Sequence, residues 1–588
     1  MSVAPVRVTV VGTGYLGLTQ AVCMADLGHE VLAIDADPKK LAQAAAGNAP
    51  FFEPGLEPLL RKNLDAKRLR FTDSYAEIGA FGDVHFLCVG TPQLADGQAD
   101  LSQLDAAADS LAPRLSRESL VVGKSTVPVG TARRLLARIR SAAPAGEVVD
   151  LAWNPEFLRE GHAIADSLTP DRIVLGTLGP SAERLLREVY ATPLAAGVPL
   201  LVTGLETAEL VKVSANAFLA TKISFINMVA EVCEKTGADV IELAEALGLD
   251  VRIGRQFLSP GLGFGGGCLP KDIRAFRAVA SQLGAESLST LLGVVDRANT
   301  GRRERVVALT RAAAPGGSLN GARVAVLGLA FKPGSDDIRD SPSLDVCAQL
   351  AEAGAIVTGH DPVAIANAAS ACPELRYASS ALEAAEDADV LLHLTEWPDY
   401  GTIDPAALRS VVAHPVLVDA RCTLDAAVWA DAGWTVYAPG RPAVTLARSG
   451  DAARLLSLLT AGAQRRPSAG KPDRTNSRQV LGLWFGGLIL ISLGGPSRLA
   501  SAVGRLPSPR FGVNGQAGFT ICHTPWLLRG VITLSAAWCG SARRPRWRFA
   551  VGCRRTSMRF TCASSPRHTS RWNCISGLAL WRARFKLA

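Results

Sequence analysis

A short stretch near the N-terminus restricts the fold of this chain more than any other. Arg7-Val-Thr-Val-Val11 is an apolar run of strand length, Gly12-Thr-Gly14-Tyr-Leu-Gly17 follows it, and a helix-favouring segment continues to about Leu27. In such a pattern the first glycine permits a tight turn and the second lets the backbone approach a pyrophosphate. The third allows close helix–strand packing, and the helix N-terminus attracts phosphate charge. The next strand-like run, Glu30–Asp35, ends on a carboxylate 18 residues after Gly17. A carboxylate there accepts hydrogen bonds from a ribose 2′-hydroxyl and repels a 2′-phosphate, so the pattern favours NAD over NADP.

The alternation of strand and helix continues. Val84–Val89, Leu120–Gly123, Val148–Trp153 and Arg172–Leu175 are further apolar runs between helical segments. This predicts a doubly wound parallel sheet over residues 1–202. From about Thr203 the pattern changes. Glu206–Lys235 is long, helix-favouring and free of Gly and Pro, and Ile241–Leu247 reads as its continuation. Residues 203–302 are therefore expected to be all-helical, with an apolar helix packed on other helices or on a second subunit. Alternation resumes at Ala322–Leu327, Ile356–Thr358, Val390–Leu394 and Val416–Asp419, a second α/β domain over 315–442. The expected fold class is α/β: two Rossmann-like doubly wound domains joined by a central helical dimerisation domain, plus an irregular basic C-terminal extension, 443–588.

The net charge of +8 conceals two opposite parts. Arg474–Ala588 holds 18 Lys+Arg and no Asp or Glu, whereas residues 1–473 hold 44 basic and 54 acidic residues. Nucleic-acid binding by bulk charge is thus excluded for most of the chain. The tail also carries six of the ten Trp and five of the 12 Cys, without helical or strand period. Translation out of frame, or a disordered tail, yields such a composition. The alternative is an extension that binds nucleic acid or acidic lipid, with Arg543, Arg544, Arg546 and Arg548 interleaved with Trp547. The other seven Cys are scattered singly, which suits a reducing cytosol and argues against a disulfide framework or a zinc site; no metal is expected. No signal peptide is read ahead of the first strand, and Val480–Leu493 is short for a membrane span, so a cytoplasmic location without a membrane span is expected.

Phe257–Asp272 is the most informative stretch. Five glycines between Gly261 and Gly267 make a loop whose amides can face a ligand closely. The loop presents Cys268 just before a helix start, where the helix N-terminus and Lys271 would favour the thiolate. Lys212 and Asn216 are four residues apart and share a helix face. Glu156 and Glu160 would form a similar pair if their segment is helical. Thr126, in Ser125-Thr-Val-Pro128, follows a strand, where parallel sheets line a ligand crevice.

Together, Gly12–Gly17, Glu53–Leu56, Val89–Pro92, Ser125–Pro128, Asn154–Glu160, Lys212 with Asn216, Arg252–Gly254, Gly261–Asp272, Phe331-Lys332 and Arg339 resemble the UDP-glucose/GDP-mannose dehydrogenase family, over about residues 6–442. The resemblance implies NAD contacts from Val11, Gly12, Gly14, Gly17, Asp35, Lys40, Thr91, Thr126, Glu160, Lys271 and Arg339. It implies substrate contacts from Glu156, Phe157, Leu158, Arg159, Glu160, Lys212, Asn216, Phe257, Leu258, Ser259, Pro260, Gly261, Gly265 and Lys332, with Arg252 reaching the substrate of a neighbouring subunit in a homodimer. The implied activity is a four-electron oxidation of UDP-glucose to UDP-glucuronate through a thiohemiacetal and a thioester on Cys268. Lys212 and Asn216 would stabilise oxygen charge, Asp272 and Thr126 orient water, and Glu156 exchange protons. GDP-mannose is the second substrate considered, and a non-catalytic NAD or nucleotide-sugar sensor the alternative class. Gln256 and Cys422 depart from the family pattern, which has Lys and Asn there.

Overall fold

The computed structural model describes residues 5–445 and the strand segments 518–520, 533–536, 549–553 and 556–558. The chain divides into two compact units, Met1–Gln464 and Arg465–Ala588.

The first unit opens with an eight-stranded sheet: β1 (Arg7–Val11), β2 (Glu30–Ile34), β3 (Leu69–Thr72), β4 (Val84–Leu87), β5 (Ser119–Gly123), β6 (Val149–Trp153), β7 (Ile173–Gly176) and β8 (Leu200–Thr203). Their order is β3-β2-β1-β4-β5-β6-β7-β8. Every pairing is parallel except β6 with β7, which meet antiparallel at Trp153 and Gly176. The central strands are mostly apolar because both faces are covered, with Thr9, His85 and Asp150 among the exceptions. Val8 and Val10 of β1 enter one core with Leu18 and Val22, while Val11 enters the other with Leu87 and Val121. The edge strands β3 and β8 are only partly buried; β3 (LRFT) alternates accordingly, whereas β8 (LLVT) is apolar but only four residues long.

The helix Leu205–Thr236 follows. It ends on Gly237 in the left-handed region (φ 74°), and Asp239 then caps a separate helix, Val240–Gly248. Ile241–Leu247 therefore does not continue the long helix, because glycine at a C-terminal cap position ends it. Helices Leu269–Gln282 and Glu286–Ala313 pack against the long one. The last of these runs past residue 302, the expected end of the middle segment, and its Val306 and Val307 join the core of the second sheet.

That second sheet comprises β9 (Arg323–Leu327), β10 (Ile356–His360), β11 (Arg376–Tyr377), β12 (Val390–His393), β13 (Val416–Asp419) and β14 (Thr435–Tyr437). It is parallel throughout, in the order β11-β10-β9-β12-β13-β14. In the second unit, β15 (Gly518–Thr520), β16 (Thr533–Ala536), β17 (Phe549–Cys553) and β18 (Thr556–Met558) pair antiparallel in sequence order. The Arg543–Arg548 cluster, and the expectations placed on the rest of the tail, lie outside the described residues.

Candidate active site

The turn after β1 is built for a close approach. The Gly12 amide donates to the Ile34 carbonyl at 2.8 Å, which ties β1 to β2 at the point where the chain turns. A Cβ at Gly17 would lie 1.8 Å from the Gly12 carbonyl oxygen, so no side chain fits between turn and helix. A Cβ at Gly14 would meet nothing within 4 Å, which leaves that side of the turn open. The helix that follows, Tyr15–Asp26, has neither a side-chain cap nor an acidic residue in its first turn. Its first amides thus remain available to an anion. Asp35 accepts from the Thr13 amide (2.6 Å), the Thr13 hydroxyl (3.0 Å) and the Asp37 amide (2.9 Å), which fixes the carboxylate beside this turn. Thr91 donates to the Thr126 carbonyl at 2.9 Å and Ser125 to that of Val89 at 2.6 Å, joining the chain ends after β4 and β5. Lys40 is exposed on the helix Pro38–Ala45. The turn, its uncapped helix and the oriented carboxylate fit a dinucleotide.

The glycine loop lies against the second sheet's domain. A Cβ at Gly265 would come within 2.2 Å of the Asp340 carbonyl oxygen, and one at Gly267 within 2.5 Å of the Arg339 guanidinium carbon. Cys268 then caps the helix Leu269–Gln282, its carbonyl accepting from the Asp272 amide at 2.9 Å. Lys212 and Asn216, buried on the long helix, face the same place. The Lys212 ammonium pairs with Glu156 at 2.9 Å, and the Asn216 amide donates to Asp272 at 2.7 Å. Lys271 donates to the other Asp272 oxygen at 2.7 Å. Burial works against the Lys212 charge, but Glu156, Cys268 and Asp272 outweigh it and hold the ammonium above its usual range.

Two expectations are corrected here. Lys271 is turned to Asp272, so it does not activate the thiol. Cys268 is solvent-exposed, yet the protein atoms crowded around it, and then Glu156, push its thiol up to about 12, with Lys212 pulling the other way. The resting group is therefore the thiol. Second, Asn154–Glu160 forms no helix, so Glu156 and Glu160 do not share a face. Glu156 turns inward to Lys212. Glu160 instead meets the loop after β9: Ser335 donates to its carboxylate at 3.1 Å, Arg339 lies at 3.5 Å, and Lys332 donates to its carbonyl. Burial and Asp337 raise the Glu160 carboxyl to about 7, against the pull of Lys332, Arg339 and Ser335.

The remaining expected residues scatter around this centre. Phe157 lies under Arg172, whose guanidinium carbon is 3.8 Å from the ring centroid. Leu158 donates its amide to Glu156 at 2.6 Å. Arg159 points outward to Asp166 at 2.6 Å. Phe257 is held at φ 62°, Leu258 and Pro260 are buried, and Ser259 is exposed. Arg252 is exposed and folds back on Asp250 at 2.5 Å. Gln256 is exposed, and Cys422 sits at φ 57° beside Asp419, whose carboxylate accepts its amide at 3.0 Å.

Several contributors had no role assigned from the sequence. Tyr15 donates to Glu53, which also accepts from the Gly161 (2.6 Å) and Ala163 (2.8 Å) amides and so shapes the chain just past Glu160. A cavity of about 490 Å³ opens there, lined by Glu53, Gly55, Gly161 and His162, and none of Cys268, Lys212 or Asp272 lines it. Arg421 donates to the Gly263 carbonyl at 2.9 Å and to that of Leu394 at 2.6 Å. Asn227 and Asn299 bond the loop backbone. Asn227 carries the signal that pointed to Lys212 and Asn216, a lone polar side chain in an apolar helical stretch; Asn299, flanked by Asp296, Arg297, Arg302 and Arg303, carries no such signal.

A sheet of this order with an open phosphate turn at its switch point is the framework of a dinucleotide-dependent dehydrogenase. Family models narrow that class. Those of the UDP-glucose/GDP-mannose dehydrogenase family match its NAD binding domain at residues 6–194, its central domain at 206–300 and its UDP binding domain at 325–426. The chain belongs to this family and is an NAD-dependent dehydrogenase. It is 43% identical to the UDP-glucose 6-dehydrogenase of Rhizobium meliloti over 441 residues, 74% of this chain and 100% of that one. It is 44% identical to UDP-glucose 6-dehydrogenase AglM of Haloferax volcanii over 407 residues, 68% of this chain and 93% of that one. Its fold matches the solved UDP-glucose dehydrogenase of Pyrobaculum islandicum with a TM-score of 0.69 at 37% identity, covering 75% of this chain and 99% of the other.

Proposed function

We propose that residues 1–442 oxidise UDP-glucose to UDP-glucuronate in the cytoplasm, with Cys268 as the covalent nucleophile. The observation that carries this reading is the meeting of Cys268, the Lys212–Glu156 pair and the Asn216–Asp272–Lys271 chain between the two sheet domains. The names of the relatives support UDP-glucose as the sugar nucleotide.

NAD, when bound, accepts the hydride in each oxidation. Carbon C6 of the sugar first loses a hydride and its hydroxyl a proton, which leaves an aldehyde. The Cys268 sulfur adds to the aldehyde carbon and the thiol proton ends on the oxygen, giving a thiohemiacetal. Loss of a second hydride and a proton leaves a thioester. Water adds to the thioester carbonyl, the carbon–sulfur bond breaks, and the acid and the free thiol result. Lys212 and Asn216 oppose the oxygen charge that develops at C6. Glu156, bonded to Lys212, exchanges protons with it, and Asp272 and Thr126 orient the water. Because the thiol rests protonated, its proton must move as the carbon–sulfur bond forms, and the Lys212–Glu156 pair stands beside it to carry that proton.

The long helix also bears an apolar stripe: Phe218 is 67% exposed, Val232 59%, and Phe225 and Met228 lie between them. Leu249, Val251 and Ile253 flank Arg252, also exposed. We read these as the homodimer contact through which Arg252 reaches a neighbouring substrate. The same helix is long and apolar enough to cross a membrane, but Glu209, Lys212, Asn216 and Asn227 are buried along it inside the protein, as in a core helix. We place the domain limits at 1–202, 203–313 and 315–442.

The test is NADH formed per sugar nucleotide, measured with UDP-glucose, GDP-mannose and their N-acetyl relatives. Two NADH per UDP-glucose is expected. One would mean a simple alcohol dehydrogenase, none a sensor, and preference for GDP-mannose would move the substrate. Cys268→Ala should form no acid; full acid formation by that variant would remove the covalent step.

A further inference from the structure

We propose that Asn227, Asn299 and Arg302 are positioning residues that set where the Cys268 thiol sits, a role that rests on the nucleophile reading above. All three lie on the central helices, and each bonds to the backbone of the glycine loop. Asn227 Oδ1 accepts from the Gly261 amide at 2.8 Å, and Arg302 Nε donates to the Gly261 carbonyl at 3.1 Å. Asn299 grips the next point: its Oδ1 accepts from the Phe264 amide at 2.9 Å, and its Nδ2 donates to the Phe264 carbonyl at 2.8 Å. The amide and the carbonyl of both Gly261 and Phe264 are thus held by side chains of two helices.

These side chains are 0%, 2% and 1% exposed, so water cannot replace a lost bond without opening the core. A Cβ at Gly263, between the two grips, would lie 2.4 Å from Asn299 Oδ1, so loop and helix are in contact there. Asn227 stands 11 residues, about three helical turns, after Asn216 and shares its face. The helix that carries Lys212 and Asn216 therefore also fixes the position of the loop that delivers Cys268. Among the described residues no hydrogen bond holds the Cys268 sulfur itself, so its place follows from the backbone.

Loop position bears unequally on the two halves of the reaction. Removal of the first hydride needs no thiol, but capture of the aldehyde does. Displacing the loop should leave aldehyde formation and cripple its capture; a misplacement of about 1 Å can cost about 10²-fold in rate.

The bond pattern supplies a sharp test in the full-length protein. Asn227 uses only its oxygen toward the loop, and its Nδ2 has no partner. Asn227→Asp keeps the acceptor and places a carboxylate near the Arg302 guanidinium, whereas Asn227→Leu keeps the volume and removes the acceptor. Asn227→Leu and Asn299→Leu are expected to lower kcat for acid formation by about 30-fold or more. KM for the sugar nucleotide should change less than kcat, because Gly261 and Gly265 are among many expected substrate contacts, and semicarbazide should trap released aldehyde. Asn227→Asp is expected to stay within about threefold of the unmodified protein with no trapped aldehyde, a rescue that a volume or stability role would not give. Asn299→Asp, which loses only the donor to Phe264, serves if a Leu variant does not fold, and should release trappable aldehyde. Unchanged acid formation in the Asn299 and Asn227→Leu variants, or Asn227→Asp as impaired as Asn227→Leu, overturns the proposal alone. Acid formation surviving in Cys268→Ala would overturn the nucleophile reading itself.

Discussion

β1 and β9 hold the same place in their sheets, yet the turns after them do opposite work. Each opens on a glycine in the left-handed region, Gly12 at φ 93° and Gly328 at φ 98°. Each glycine amide donates at 2.8 Å to the carbonyl ending the neighbouring strand, Ile34 in one case and His360 in the other. Each neighbouring strand is followed by an aspartate. There the likeness ends. Asp361 is buried and accepts from the Leu329, Ala330, Val363 and Ala364 amides and the Trp397 indole, at 2.8 to 3.1 Å. Asp35 is half-buried and, among the described residues, accepts from Thr13 and Asp37 alone. The helix after β1 starts at Tyr15, two residues beyond Thr13, but the helix after β9 waits until Pro342. The intervening chain carries Lys332, Ser335 and Arg339 to Glu160. One frame thus serves two purposes. A prompt helix offers its N-terminus to phosphate; a delayed one releases a loop that closes the site.

The largest effect expected from this comparison is at Gly17. Gly17→Val drives a side chain into the Gly12 carbonyl and should weaken NAD binding by more than about 100-fold in a fluorescence titration. Affinity within tenfold would mean that the first turn is not the cofactor's seat. The aspartates should separate next. Asp361→Ala strands five donors, three of them on buried residues, and should cost on the order of 3 kcal/mol or more of unfolding free energy in denaturant titrations. NAD affinity of the folded protein should not change. Asp35→Ala should do the reverse, with a small change in stability and about a tenfold loss of preference for NAD over NADP. Equal stability losses in both variants would dissolve the distinction.

The smallest effect concerns the closing loop. The Glu160 carboxyl is raised from the usual carboxylate value to about 7, so the folded protein keeps a proton that the unfolded chain releases at lower pH. This contribution is complete below about pH 4.5 and is lost as pH rises through about 7. Glu160→Gln should flatten that part of the stability–pH curve. An unchanged slope would place the carboxylate in water, away from Ser335 and Asp337.

What the sequence made legible follows burial. β1, β9 and β13 are mostly apolar and buried beyond their first residue, and their runs were readable to within a residue. β3, β11 and β14 are short and partly exposed and left no such run; β8 (LLVT) is apolar but short and partly exposed. Gly12–Gly17 and Gly261–Cys268 were visible because close approach of backbone demands glycine in a local pattern. The partners of Glu160 were not, since Lys332 and Ser335 lie 172 and 175 positions away and only the fold joins them. The state of the Cys268 thiol was misread for a related reason. Burial and then Glu156, 112 positions away, raise its pKa, the nearby Lys271 is spent on Asp272, and the cation that opposes the rise, Lys212, comes from another helix.

The most direct measurement is intact-peptide mass spectrometry of the Cys268 segment after acid quench during turnover with UDP-glucose and NAD. An acyl adduct of the sugar nucleotide on Cys268 is expected at early times, absent from Cys268→Ala, which should also form no acid. Steady acid formation with an unmodified Cys268 at every quench time would contradict the account.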